Sequence, residues 1–326
     1  MIGHDWAKEY LRRQLQAGAL RNSHLFLGPP HVGKTALALE LAAMLNCQAP
    51  DVGARPCGSC SSCRRIGRNS HQGVAVIAPT GAAFSIDQVR ELETDLPLSP
   101  QEGGYKVRIL TEFSTATREA QNALLKTLEE PPAHAVLILT ATAKELLAPT
   151  IVSRCQVLTL RPVPTAVIRA DLIRRGLPED EAAALAAESA GRPGWALQAL
   201  EDDALRQQRK RALQAAADLP HRRRAERIRR AEEWGKRGRE AVLDDLELWR
   251  LWWHDQMLAL AGAGDGYLMP AAERPPALTG IDAAGAARVL GHLGDIDEKI
   301  RRNANLRLAL TVLVLRLPHL VDSKGS

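Results

Sequence analysis

Gly28-Pro29-Pro30-His31-Val32-Gly33-Lys34-Thr35 fits the pattern G-x-x-x-x-G-K-[ST]. In that pattern a curled backbone turns consecutive N–H groups toward phosphate oxygens. The apolar run His24-Leu25-Phe26-Leu27 precedes it and reads as a buried strand. Lys34 to Asn46 follows and reads as a helix, with Leu37, Leu41 and Leu45 on one face. The helix N-terminus would add its positive end to the cradle. Lys34 would reach the β- and γ-phosphates, and Thr35 would hold Mg²⁺. Gly28, Gly33, Lys34 and Thr35 are therefore the candidate nucleotide-binding residues, and ATP with Mg²⁺ is the ligand they suit. His31 weakens that expectation, because a side chain is costly there if φ is positive.

A second chemistry lies just downstream. Cys47 is followed by Cys57-x-x-Cys60-x-x-Cys63, and only Cys155 lies apart. Four clustered thiols point to a metal rather than a disulfide frame in a chain read as cytosolic. Four thiolates suit tetrahedral Zn²⁺, and a filled shell leaves no open position, so the expected role is structural. A nucleic-acid-binding knuckle using Arg64, Arg65 and Arg68 is the alternative, and free thiols are the third reading.

These groups need a scaffold, and the rest of the first half supplies one. Short apolar runs at Val74 to Ile77, Val107 to Leu110, Val136 to Thr140 and Gln156 to Leu160 read as further strands. Ser85-Ile86-Asp87-Gln88 is a capping box that opens a helix through Leu96. Thr117 to Glu130 reads as a helix stopped by Pro131-Pro132. Strands alternating with helices argue for an α/β fold with a parallel sheet covered on both faces. Beyond Arg161-Pro162-Val163-Pro164 the strand signals stop and the chain reads as all-α.

At roughly 150 residues per domain, 326 residues suggest about two domains or three small ones. The net charge of +5 is compatible with nucleic acid nearby. Arg206 to Arg239 holds thirteen Lys or Arg against four acids, which reads either as a DNA- or subunit-facing stripe or as a solvated helix face. Trp249, Trp252 and Trp253 fall at helical spacing beside Leu246 and Leu248 and read as core. Leu306, Leu310, Leu313 and Leu317 mark an amphipathic last helix. No signal-peptide pattern and no run of roughly 18 apolar residues is visible, so a cytoplasmic chain is expected.

Several motifs follow one another in a family order. Gly3-His4 leads in, then come the P-loop, the cysteine module and Asn122-Ala123-Leu124-Leu125-Lys126-Thr127-Leu128-Glu129-Glu130-Pro131-Pro132. Ser153-Arg154-Cys155 and Asn303-x-Asn305-Leu306-Arg307-Leu308-Ala309-Leu310 complete the set. The chain thus resembles the bacterial clamp-loader AAA+ family of the DNA polymerase III holoenzyme. The resemblance implies a RecA-like P-loop domain over 1–163 with the zinc module at 47–73, a helical lid at 164–204 and a helical collar at 205–326. It implies tau/gamma motor subunits and a delta subunit as ring partners, and the sliding clamp and primer–template DNA as what the ring handles. Arg154 would be the family's arginine finger, reaching into a neighbour's ATP site; in other NTPases such a finger is worth about 10³ to 10⁵ in rate.

Departures from the family pattern concern the chain's own site. An Asp-Glu pair is expected after the third core strand, and here Thr111-Glu112 stands there. A neutral hydroxyl cannot supply the charge that organises a metal shell. Glu112 and Thr142, the latter at the sensor position after the fourth strand, are kept. Gly194 stands where the lid arginine is expected, with Arg192 the possible substitute. A ring member without autonomous ATP turnover is the expectation; a tau/gamma-like motor and an independent DNA-binding zinc module are the alternatives.

Overall fold

In the computed structural model, which describes residues 1–81, 83–99, 104–263, 266–269, 274, 277–302 and 304–320, five apolar runs form one parallel sheet. The strands are β1 (Ser23–Leu27), β2 (Val74–Ile77), β3 (Lys106–Leu110), β4 (Ala135–Ala141) and β5 (Gln156–Thr159), in the order β2-β3-β4-β1-β5. The first half also holds α1 (Asp5–Gln16), α2 (Lys34–Asn46), α3 (Ser61–Gly67), α4 (Ile86–Asp95), α5 (Arg118–Glu129), α6 (Pro149–Arg154) and α7 (Thr165–Arg174).

Alternation along the strands builds two cores. Leu25, Leu27, Leu137 and Leu139 face α4 and α5, meeting Val89, Leu92, Leu124 and Leu128. Phe26, Val136 and Ile138 face the other way onto α1 and α2, meeting Leu11, Leu37 and Leu41. Both faces are covered, which is why the strands read as continuous apolar runs. The predicted capping box closes on α4: Gln88 N–H donates to Ser85 Oγ at 3.3 Å, and Ser85 N–H to Gln88 Oε1 at 3.2 Å. Thr117 caps α5 by accepting from Ala120 N–H.

Backbone contacts divide the chain into two compact units, Met1–Gly176 with Gly191–Trp195 and Leu177–Ala190 with Ala196–Ser326. Described elements of the second are helical: α8 (Glu179–Glu188), α10 (Asp203–Asp218), α11 (Arg224–Gly235), α12 (Arg239–Leu260), α13 (Ala283–Arg301) and α14 (Leu306–Arg316). A further helix, α9 (Pro193–Glu201), begins in the first unit and ends in the second. Trp249, Trp252 and Trp253 are buried with Leu246, Leu293 and Leu310, so the tryptophans are core. Trp249 stacks on Trp234 at 4.6 Å and donates Nε1–H to Ala212 O at 2.9 Å. Leu310, Leu313 and Leu317 are buried, and Asn305 caps α14 by accepting from Leu308 N–H at 3.0 Å. Asn303 of the same motif lies outside the described residues.

The basic run resolves into separate fates. Lys210, Arg211, Arg223, Arg224, Arg229 and Arg230 are exposed. Arg227 and Arg209 are buried, Arg237 pairs with Asp245 at 2.6 Å, and Arg206 pairs with Glu188 at 3.4 Å. Neither one uniform stripe nor one solvated face describes it. Among the described residues no helix is long and apolar enough to cross a membrane.

Candidate functional site

The P-loop leaves β1 at the end where ligands bind in parallel α/β sheets. Gly28 N–H donates to Ala141 O of β4 at 3.2 Å. Gly28 has φ 145°, and a Cβ there would lie 2.5 Å from Leu160 O, so only glycine passes. His31 has φ 60°, the left-handed region that weakened the sequence expectation. Such a conformation costs a non-glycine residue about 1–2 kcal/mol. Lys34 Nζ donates to Gly28 O at 2.7 Å and Pro29 O at 2.8 Å, so its ammonium folds back onto its own loop. Burial, then the charges of Arg192 and Lys34, push the His31 pKa down.

Two residues brace this loop. The His4 ring Nε2 lies 3.1 Å from Val32 O. A carbonyl only accepts, so that nitrogen carries the proton. Gly194 N–H donates to His31 O at 2.9 Å. A Cβ at Gly194 would come 2.9 Å from the same oxygen. Gly194 is thus packed directly on the loop.

Thr111, Glu112 and Thr142 follow β3 and β4 and share the P-loop's edge of the sheet. The Thr111 N–H and hydroxyl both donate to Ile77 O, at 2.9 and 3.3 Å. Its oxygen is neutral and its proton is committed to β2. Glu112 is exposed at φ 54°, with its N–H on Thr140 Oγ1 at 3.1 Å. Thr142 Oγ1 is buried without a hydrogen-bond partner among the described residues.

Arg154 lies elsewhere. It ends α6 and precedes β5, whose first residue pairs with His24 and whose last pairs with Leu27. Arg154 therefore sits at the N-terminal edge of the sheet, the length of β5 away from the P-loop, about 13 Å at 3.3 Å per residue. Its Nε donates to Glu129 Oε1 at 2.7 Å, Nη2 pairs with the same oxygen, and Nη1 donates to Thr150 O at 2.9 Å. A guanidinium has five N–H donors. Among the described residues, one on Nη1 and one on Nη2 have no partner.

The four cysteines converge. Cys47 ends α2, Cys60 caps α3, Cys63 lies within it, and all four Sγ atoms are within 4.8 Å of one another. A tetrahedral Zn–S shell at 2.3 Å needs sulfurs about 3.8 Å apart, so the cluster fits a metal ion. Backbone N–H groups already aim at the sulfurs: Cys57 N to Cys47 at 3.3 Å, Cys60 N to Cys57 at 3.4 Å and Cys63 N to Cys60 at 3.4 Å. Such donors stabilise thiolate charge and orient metal ligands. The N–H of Cys60, then that of Ser59, draws the Cys57 thiol down to about 6, while burial pushes Cys63 up to about 12.

The family described as DNA polymerase III, delta subunit, matches residues 3–164. The chain is 37% identical over 209 residues to the DNA polymerase III subunit delta' of Pseudomonas aeruginosa, covering 62% of this chain and 63% of that one. It is 35% identical over 209 residues to the delta' subunit of Escherichia coli, covering 62% of each. Over residues 3–164 the chain is thus similar to subunits of DNA polymerase III. The tau subunit of Salmonella typhimurium is 34% identical over 172 residues, 53% of this chain and 26% of that one. The chain thus spans less than two thirds of the length of these relatives.

Sequence reasoning did not single out two residues that contact the candidate site residues, Glu129 and His4. Glu129 was visible inside the Leu-Glu-Glu-Pro-Pro motif, but its partner lies 25 residues on. His4 was visible only as half of Gly3-His4; its target carbonyl lies 28 residues away.

Proposed function

We propose that this chain is a delta-prime-like ring subunit of a bacterial clamp loader. It does not turn over ATP on its own. It lends Arg154 to the ATP site of a neighbouring tau/gamma motor subunit, while the ring, with delta, loads the sliding clamp onto primer–template DNA. The observation that carries this reading is the location of Arg154. Its partly exposed guanidinium is a strand's length from the chain's own P-loop and keeps two N–H groups uncommitted. That arrangement suits a phosphate on another subunit and not one on its own loop.

The chain's own site supports the same reading. Thr111 brings no charge to a metal, and Gly194 brings no cation to a γ-phosphate. On this reading, polymerase activity belongs to the complex, and the chain works in the cytoplasm with the replisome. The cysteine module holds one structural Zn²⁺. Residues 1–163, 164–204 and 205–326 act as the P-loop domain, lid and collar.

The test is a reconstituted ring with motor and delta subunits. Arg154→Ala should assemble normally and show slower ATP hydrolysis and clamp loading. Unchanged hydrolysis would sink the finger role. The isolated chain, with or without DNA, should show no turnover above background; turnover abolished by Lys34→Ala would favour the motor reading instead.

A further inference from the structure

We infer that Glu129 is the positioning residue of the Arg154 finger, an inference that rests on the reading above. Glu129 is the last residue of α5 and Arg154 the last of α6. One carboxylate oxygen receives both Nε and Nη2 of the guanidinium, and Thr150 O receives Nη1. Three donors are fixed by three contacts, and the remaining two sit on the two terminal nitrogens. A guanidinium held along one side in this way offers its end to an incoming oxygen pair, the fork geometry that matches phosphate.

The platform beneath the pair is rigid. Leu124 and Leu128 anchor α5 in the sheet core. Gln121 of α5 accepts the N–H of Ala148, the cap of α6, at 2.7 Å, and donates to Ala116 O at 3.1 Å. The two helices are thus tied at the start of α6 by Gln121 and at its end by Glu129. Pro131-Pro132 ends α5 directly after Glu129-Glu130, which keeps the carboxylate at the helix terminus. Stability does not account for the contact. The Arg154 and Glu129 side chains are 33% and 49% exposed, and such pairs contribute little to folding. What the contact does is remove rotamer freedom from a long side chain before a phosphate arrives. An arginine that must order itself at that moment gives up most of its side-chain entropy then.

The experiment uses the reconstituted ring with the other motor sites disabled at their P-loop lysines, so that hydrolysis reports the site served by this chain. Glu129→Ala should lower kcat about tenfold, the factor set by the ordering of one arginine side chain, with KM for ATP within about twofold. Glu129→Gln should retain an intermediate rate, since an amide oxygen accepts the same N–H groups. Glu129→Ala added to Arg154→Ala should change nothing further. Thermal melting of both Glu129 variants should match wild type. If Arg154→Ala is slow and Glu129→Ala runs at the wild-type rate, the inference fails alone. A faster Glu129→Ala overturns it too, by making the contact a parking site. If Arg154→Ala itself runs at the wild-type rate, the finger reading fails and takes this inference with it.

Discussion

Replacing Arg227 by Ala should destabilise the second unit severely while leaving DNA affinity unchanged. Arg227 sits amid the basic run, yet it is 2% exposed. Its Nε donates to Arg222 O at 2.9 Å, Nη1 to Val314 O at 3.3 Å and Leu317 O at 2.8 Å, and Nη2 to Pro220 O at 2.6 Å and Pro318 O at 2.7 Å. Five donors meet five carbonyls. They tie the start of α11 to the end of α14, nearly 90 residues away in sequence. Burial, then neighbouring Arg224, lowers the pKa of Arg227, and the carbonyl dipoles, with His319 Nδ1 at 3.4 Å from Nη2, compensate its charge. Each buried carbonyl left without its donor costs on the order of 1 kcal/mol, and relief from burying the cation offsets part of the sum. The expected net loss for Arg227→Ala is about 3–5 kcal/mol. Arg227→Lys, with three donors for five acceptors, should lose about 2 kcal/mol. Urea unfolding of the full chain, followed by tryptophan fluorescence, reads this directly, because Trp249, Trp252 and Trp253 are buried in the same core. A loss under 0.5 kcal/mol together with weakened DNA binding would refute the reasoning and return Arg227 to a DNA-facing stripe.

Three further outcomes are expected. Purified chain should release one Zn²⁺ on thiol modification; Cys60→Ser should bind none and gain protease cleavage between residues 48 and 62 with second-unit fluorescence unchanged, whereas full zinc content in that variant would rule out the four-thiolate shell. Burial holds His24 down to about 4 from 6.5. Its neutral form is the folded one, so its contribution is fully present above pH 6.5 and is lost as pH falls toward 4. Between pH 7 and 5 the loss is about 2 kcal/mol, and His24→Leu should remove that much from the pH dependence of urea stability; an identical pH dependence in the variant would contradict it. Thr111→Asp combined with Gly194→Arg should fail to restore ATP turnover and should lower the melting temperature, because the new Cβ meets His31 O at 2.9 Å; turnover at undiminished stability would show that the loop accommodates it.

Much of this molecule is local and was therefore legible. All five strands were foreseen within a residue or two, because a strand buried on both faces is apolar throughout and ends at turn residues. The boundaries of α2, α4 and α5 were legible because Gly33, Ser85 and Thr117 precede them and Pro131 ends the last. The convergence of Cys47 with Cys57, Cys60 and Cys63 was also foreseen, since short loops bring close cysteines together. What sequence could not decide was the use of charged and polar residues whose partners are distant. Arg227 and Arg224 look alike in the run, and only packing buries one and exposes the other. Gly194 looked like a lost arginine; the fold makes it the residue that lets α9 begin on the P-loop. The P-loop pattern determined where a phosphate cradle would form. The tertiary structure decided that Lys34 turns back on its own carbonyls, that Thr111 is committed to Ile77, and that Arg154 stands at the opposite edge of the sheet, held by Glu129. Periodicity and caps are written into neighbouring residues, whereas a hydrogen bond between distant residues exists only once the sheet has set their distance.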